Sequence, residues 1–520
     1  MRLFKTIAGL RCQLQRQQHQ TIGLVPTMGA LHAGHASLIQ GAVFQNDLVV
    51  VSIFVNPLQF APTEDLGKYP RQLEQDCQLC ETLGVDIVFA PTLEEMGMAE
   101  VADSPSSIAT VVMPPAAMTS VLCGPFRPGH FQGVATAVTK LLNIVQPTHA
   151  YFGEKDAQQL AIIRRLVKDL NLPVDIRACP IVREASGLAY SSRNQYLTPE
   201  EKERATALSA SLRRAEAAFQ AGERQASQLI EIVQRALALV PEVRAEYVEL
   251  VDPKTLIPLE EIDQSGLLAI AARLGSTRLI DNLLLRQRRP IIAIDGPAGA
   301  GKSTVTRRIA QALGLLYLDT GAMYRALTWL AMHSGIALED EAAIAELVSG
   351  AKLELIPADS PNLPPRVLIE GKEVTEAIRT PEVTANVSAI AAQAAVRRAL
   401  VKYQQRWGKR GGIVAEGRDI GTNVFPDAEL KIFLTASVEE RARRRLQDLK
   451  AQGVAGIDLG QLQQDIQQRD ELDSNRSIAP LRKASDAVEI NTDGLSVEEV
   501  TQRIVSLYEG RGENALKAFS

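Results

Sequence analysis

Gly296-x-x-x-x-Gly301-Lys302-Ser303 has the spacing of a phosphate-binding loop, set between an apolar run from Ile291 and a helical pattern. Backbone N–H groups of such a turn surround phosphate oxygens, and the helix N-terminus adds positive potential. Lys302 reaches the outer phosphates and Ser303 a magnesium ion. A second constellation, His32-Ala-Gly-His35, opens a helix after a strand end and a glycine turn. Imidazoles three apart face one side, where they suit charge moving from an α-phosphate to departing pyrophosphate. A pair of capping or core histidines is the other reading. Arg469, Asp473 and Arg476, spaced by four and three, share a helical face. Guanidinium forks contact donor and acceptor phosphates together, which suits phosphoryl transfer. Arg441, Arg443, Arg444 and Arg445 read equally well as part of that cluster or as a solvated helix.

These residues need frames. Thr21 to Val25 and Leu48 to Val55 read as strands around a helix from Gly34 to Gln45, one βαβ unit. Strands at Val85 to Ala90, Ala150 to Phe152 and Val174 to Ala178, with helices at Pro70 to Leu83, Gly133 to Val145 and Asp156 to Leu170, extend it to an open α/β sheet over 1–185. Thr92 to Pro125 is aperiodic and reads as irregular. At Thr198-Pro199 the character changes to long helices and then short strands, a small α+β subdomain over 186–282. Residues 283–290, basic and ending at Pro290, read as a linker, and 291–520 as a second α/β series. Within it Leu353 to Ile356 and Arg366 to Ile369 form a hairpin inside an insertion over 351–376.

The chain has 520 residues, 46% apolar and 22% charged, enough for roughly three domains. A net charge of −5 gives no support to nucleic acid as a partner. No apolar run of about 18 residues exists, and Met1 to Leu14 lacks the core of a signal peptide, so the expectation is a cytoplasmic protein with no membrane partner. The five cysteines show no disulfide framework. Cys77-x-x-Cys80 lies in a helical pattern without a second ligand pair and reads as packing.

Pro26-Thr-Met-Gly, His32-Ala-Gly-His35, Phe54-Val-Asn-Pro-Leu-Gln59, Arg127-Pro-Gly-His-Phe-Gln-Gly, Phe152-Gly-Glu-Lys155-Asp156 and Ser191-Ser192-Arg193-Asn194 together resemble the pantothenate synthetase (pantoate–β-alanine ligase) family, over about residues 1 to 282. The resemblance implies a Rossmann-like nucleotidyltransferase sheet of the HIGH type. Pantoate would be adenylated by ATP with loss of pyrophosphate, and β-alanine would then displace AMP. By the same resemblance Met28, Gly29, His32, His35, Gly153, Glu154, Lys155, Asp156, Val182, Ser191, Ser192 and Arg193 bind ATP. His35 and His32 contact the triphosphate, Lys155 reaches ATP, and the Ser-Ser-Arg run closes over its phosphates. Gln59 and Gln159 hold pantoate, and the ligase half forms a homodimer. The chain departs from the family at Met96-Gly97-Met98, where Met-Tyr-Pro is frequent.

Gly296-Pro297-Ala298-Gly299-Ala300-Gly301-Lys302-Ser303-Thr304, Asp319-Thr320-Gly321, Glu416-Gly-Arg418-Asp419 and Arg469-Asp470-x-x-Asp473-x-x-Arg476 resemble the cytidylate kinase family, a P-loop nucleoside-monophosphate kinase fold, from Ile291 to about Tyr508. The resemblance implies ATP on the loop residues 296–304 with magnesium at Ser303. CMP or dCMP would lie among Thr320, Arg325, Ser388, Arg397, Arg418, Asp419 and Asp473. Arg469 and Arg476 would be catalytic arginines of a lid over 441–482. Mg2+ accompanies ATP at both sites. Other acid, amine and nucleotide substrates on the same folds, or a kinase-like half that only senses nucleotide, are the alternative readings.

Overall fold

The short β-branched runs become strands of two parallel sheets, one in each of two units, Met1–Gln287 and Arg288–Ser520. The computed structural model describes residues 1–17, 20–60, 67, 69–99, 110–356, 365–451, 458–475, 479–484 and 486–517. In the first unit the sheet order is β1 (Arg2–Phe4), β4 (Ile87–Phe89), β3 (Leu48–Ile53), β2 (Ile22–Thr27), β5 (His149–Gly153), β6 (Asp175–Cys179), every pair parallel. Helices cover both faces, so β3 reads Leu-Val-Val-Val-Ser-Ile instead of alternating. Leu24 and Val50 pack on one side with Leu141 and Ile163, while Val25, Val49 and Val51 pack on the other with Ile39 and Tyr151.

From β2 the chain winds toward β3, and from β5 it winds the other way to β6. The crevice beyond the carboxyl ends of β2 and β5 is therefore the switch point, where open α/β sheets hold ligands. β2 leads to the helix Ala33–Gln45 and β5 to the turn Glu154–Asp156. At the far end of that helix, buried His149 donates from Nδ1 to Asn46 Oδ1 (2.7 Å), which ties helix to strand.

The irregular stretch has anchors. Met96 and Met98 are 2% and 1% exposed, so the departing Met-Gly-Met motif is packed into the sheet core. Residues 100–109 lie outside the described ones, and Ala116–Thr119 is a short helix. Cys80 is buried in the helix Leu73–Thr82, with Cys77 packed partly beside it. Among the described residues no helix is long and apolar enough to cross a membrane.

Thr198 and Glu201 form a capping box with Pro199 at the first helical position, which starts the helical part of the α+β region. Three antiparallel strands follow, β7 (Val243–Val251), β8 (Ser265–Leu274) and β9 (Thr277–Arg286). They run longer than their apolar cores suggest, because cross-strand pairing continues to Ser265↔Arg286. Since β10 (Arg289–Asp295) begins three residues later, most of 283–290 is strand and only Gln287 and Arg288 connect β9 to β10.

The second unit orders its parallel strands β11 (Leu316–Asp319), β15 (Gly411–Gly417), β10, β16 (Leu430–Thr435), β17 (Val488–Asn491). The hairpin of β12 (Leu353–Ile356) and β13 (Arg366–Ile369) gains a third strand, β14 (Lys372–Glu373), and its connecting residues 357–364 lie outside the described ones. Helices Pro381–Ala392 and Ala394–Gly408 carry the next site residues, and Val438–Ala451 and Leu459–Asn475 fall on the expected lid, of which 452–457 and 476–478 lie outside the described residues.

Candidate active sites

In the first unit His32 and His35 cap their own helix. The Gly34 N–H donates to His32 Nδ1 (3.1 Å) and the His32 N–H to His35 Nδ1 (3.4 Å). A backbone N–H only donates, so both Nδ1 atoms accept, and in each neutral ring the proton sits on Nε2. Burial first, then the charge of Lys155, lowers His32 to about 4. Burial, His32 and Lys155 lower His35 to about 3. The capping reading and the functional reading are thus one arrangement: capping fixes the tautomer that leaves an N–H donor on each ring. Of the cationic and hydrogen-bonding roles open to these imidazoles, the neutral one fits.

The preceding turn is pinned by Asp76, whose carboxylate accepts from Ala30 N–H (3.0 Å) and Leu31 N–H (2.8 Å) and so braces Met28 and Gly29. Lys155, Asp156, Gln159 and Arg193 line one cavity between the sheet and the α+β region, and burial lowers Lys155. Ser191 caps the short turn Ser192–Tyr196 by accepting from the Arg193 N–H, and Ser192 bonds Tyr69. Val182 holds this segment by accepting from Tyr190 N–H at 3.0 Å. The turn of Gly153, Glu154 and Lys155 is sewn to β9, where Asn282 donates to the carbonyls of Glu154 (2.9 Å) and Lys155 (2.8 Å).

Gln59 is placed by its backbone. Its carbonyl accepts from Arg127 (3.0 Å) and from His130 Nδ1 (2.8 Å), two residues that line the same cavity. Its turn also lies against Gly133, where a Cβ would meet Leu58 O at 2.3 Å. The glutamine pair divides: Gln159 lines the cavity, while Gln158 is buried and holds Met118, Val121 and Cys123 through backbone bonds.

In the second unit the loop from Gly296 to Thr304 joins β10 to the helix Lys302–Ala312. Only glycine fits at 296, since a Cβ there would lie 2.1 Å from Leu434 O. Buried Lys302 donates to the Pro297 carbonyl (2.7 Å), and Ser303 Oγ to Glu416 (2.9 Å), which also takes the Tyr317 hydroxyl. Burial lowers Lys302 and raises Glu416, and each carboxylate or ammonium partly restores the other's charge. Thr320 Oγ1 donates to the Glu416 carbonyl (2.6 Å) and Arg325 pairs with Asp319 at 3.3 Å.

Arg397, buried, donates to Asp419 (2.5 Å), and Arg418 to Asp473 (2.8 Å) on the helix Leu459–Asn475. Arg469 on the same helix is within electrostatic reach of Arg418 and Asp473. Ser388 is exposed on Pro381–Ala392, and Arg476 lies outside the described residues.

Motif spacing missed Asp295 and left Arg441 undecided. Asp295, at the end of β10, accepts from Ile420 N–H (2.8 Å) and Gly421 N–H (2.7 Å), tying the phosphate loop's strand to the segment after Asp419. Burial raises its carboxyl to about 6. Arg441 separates from its neighbours: it is buried, pairs with Asp470 (2.9 and 2.6 Å) and donates to the Ala298 carbonyl at 3.2 Å. Arg443 stays exposed on Glu440. The signal for Asp295 was the Ile-Asp-Gly strand end. For Arg441 no local signal exists.

The geometry gathers two polar sites, one at the switch point of a Rossmann-like sheet and one around the P-loop of a second parallel sheet. A family model described as pantoate–β-alanine ligase matches residues 2–284, and one described as cytidylate kinase matches 292–510. The bifunctional pantoate ligase/cytidylate kinases of Trichormus variabilis and of Synechocystis sp. are each 61% identical to this chain, over 98% of it and 99% of theirs. The crystal structure of pantothenate synthetase from Thermus thermophilus is 45% identical with a TM-score of 0.51, covering 54% of this chain and 99% of that one. The chain belongs to the bifunctional pantoate ligase/cytidylate kinase family, with its ligase in the first unit and its kinase in the second.

Proposed function

We propose that the first unit makes pantothenate in two steps at the crevice between β2 and β5. A pantoate carboxylate oxygen attacks the α-phosphorus of ATP, the bond to pyrophosphate breaks, and the β-alanine amine then attacks the acyl carbon, losing a proton as AMP leaves. The paired imidazoles carry this reading. Each offers an Nε2–H donor to the phosphates without titrating, and Lys155 with Arg193 supplies the positive charge. Gln159 and the clamped turn of Gln59 hold pantoate with groups that put no negative charge beside its carboxylate.

In the second unit the γ-phosphoryl group of ATP passes to a phosphate oxygen of CMP or dCMP. Lys302 and the loop hold the donor, while Arg325, Arg397, Arg418, Asp419, Asp473 and Thr320 hold the acceptor, with Arg469 at the transferring group. Ser303 Oγ and the Glu416 carboxylate are hard oxygen donors 2.9 Å apart, a set that fits Mg2+. When bound, the ion neutralises charge between the phosphates. In the ligase half Mg2+ arrives on ATP.

The substrates are small molecules, with no nucleic acid or membrane among them. A cytoplasmic location rests on five free thiols, and a homodimer through the ligase half rests on the resemblance, which sedimentation of the purified chain tests. The experiment for both activities uses one preparation. It measures AMP formation that requires pantoate and β-alanine, and ADP formation that requires CMP; absence of either removes that half of the reading.

A further inference from the structure

The last strand of the α+β region brings to the ligase cavity a carboxylate to which none of the motif roles refers. Asp281, 3% exposed, sits on β9 directly before Asn282, whose amide holds the Glu154 and Lys155 carbonyls at 2.9 and 2.8 Å. That strand therefore lies against the turn that carries Lys155. Asp281, Lys155 and Arg193 line the same two neighbouring cavities. The carboxylate is immobilised: Arg183 donates to both oxygens at 2.6 and 2.9 Å, and the Asn282 N–H donates at 2.8 Å.

The other charged or titratable groups around Lys155 are Asp156 beside it, Arg193 on the turn Ser192–Tyr196, His32 and His35 at the start of the helix Ala33–Gln45, and Arg127, His130 and Arg278, which line the cavity with it; Arg183 is paired with Asp281 itself. Asp156 is exposed, Arg193 is cationic and the imidazoles of His32 and His35 are neutral. Of the two carboxylates that line these cavities, Asp156 and Asp281, Asp281 is the buried one, and it shares its charge with Arg183. A lysine stem has four rotatable bonds and needs a fixed counter-charge to hold one position. We propose that Asp281 is a positioning residue for adenylation, the fixed counter-charge that holds the Lys155 ammonium toward the ATP phosphates from the α+β side of the cavity. The assignment rests on the ligase reading above. It also means that docking of this region onto the sheet completes the charge arrangement of the site.

The test is pantoate-dependent ATP–pyrophosphate exchange by the full chain, followed from about pH 6 to about pH 10, a span that covers Lys titration. Asp281→Asn keeps an acceptor for Arg183 and removes the charge. Its kcat falls about tenfold or more, and its alkaline limb moves down by about one pH unit, because burial already disfavours the Lys155 ammonium. Asp281→Glu keeps the charge on a longer arm, so kcat falls and the limb stays. An unmoved limb in Asp281→Asn, or a limb moved to lower pH in Asp281→Glu, overturns the assignment, and either variant decides if the other does not fold. CMP phosphorylation stays at the wild-type rate in both. A wild-type chain with no exchange at any pH overturns the ligase reading instead.

Discussion

The backbone N–H of His32 donates to Nδ1 of His35 across 3.4 Å, so the second histidine of the motif caps the first. One bond settles both the helix start and the direction in which His35 presents its remaining N–H. His35→Ala should lower pantothenate formation by about a hundredfold, the usual cost of losing a donor to developing charge, while sparing CMP phosphorylation. Lys302→Ala should do the reverse. Paired assays on each variant check this, and loss of both activities in a folded variant would refute the division into two sites.

The same burial has a cost in acid. His32, His35 and His149 are held near 4, 3 and 4 in the folded chain. Above the ordinary imidazole value of about 6.5 they are neutral folded or unfolded and contribute no pH dependence. Below it the unfolded chain takes up protons that the folded chain refuses, so stability is lost as pH falls through this range. Each group contributes about 1.4 kcal/mol per pH unit until its folded value is reached. Denaturant unfolding of the ligase unit at several pH values from 7 downward should show a midpoint that drops steeply below about pH 6.

Buried Arg441 and half-buried Asp470 form an ion pair that links the phosphate loop to the helix Leu459–Asn475. Asp470→Asn leaves the guanidinium without its counter-charge but with the Ala298 and Ala436 carbonyls, which should destabilise the kinase unit by about 1–2 kcal/mol. CMP phosphorylation should also weaken, since Arg469 and Asp473 ride on that helix. Thermal unfolding and initial rates check the two effects separately.

Gly133→Ala places a methyl group 2.3 Å from the Leu58 carbonyl, a distance that backbone must relieve by moving. The turn that carries Gln59 should shift. We expect a rise of about tenfold in KM for pantoate with a smaller change in KM for ATP, because misplacement of a positioning residue costs up to about a hundredfold.

Legibility followed locality. The phosphate loop, the histidine pair and the Thr198–Pro199 helix start were readable because each is a fixed spacing of a few residues. The helix Pro381–Ala392 carried the same kind of signal, with Thr380 capping and Pro381 at its first position, and it went unread. Arg441 and Arg443 could not be told apart in sequence. Which of them is buried depends on where the phosphate loop and the helix Leu459–Asn475 arrive. Asp281 and Asn282 stand at the end of the expected α+β subdomain, and only the pairing of β9 against β8 carries its last strand on to Arg286.

The two-residue join at Gln287 and Arg288 bears on any attempt to take the halves apart. A gene cut after Asn282 would remove Leu283, Leu284, Leu285 and Arg286, each paired to β8, and would strip buried Leu285 from the ligase core. A cut after Arg288 would deprive the kinase unit of an arginine that bonds Asp427 and Glu429. A cut at the peptide bond between Gln287 and Arg288 leaves both ladders whole and also keeps Gln287 bonded to Gln264 and Arg288 to Asp427 and Glu429. A protease, which needs several extended residues free of pairing, finds no such length of chain there.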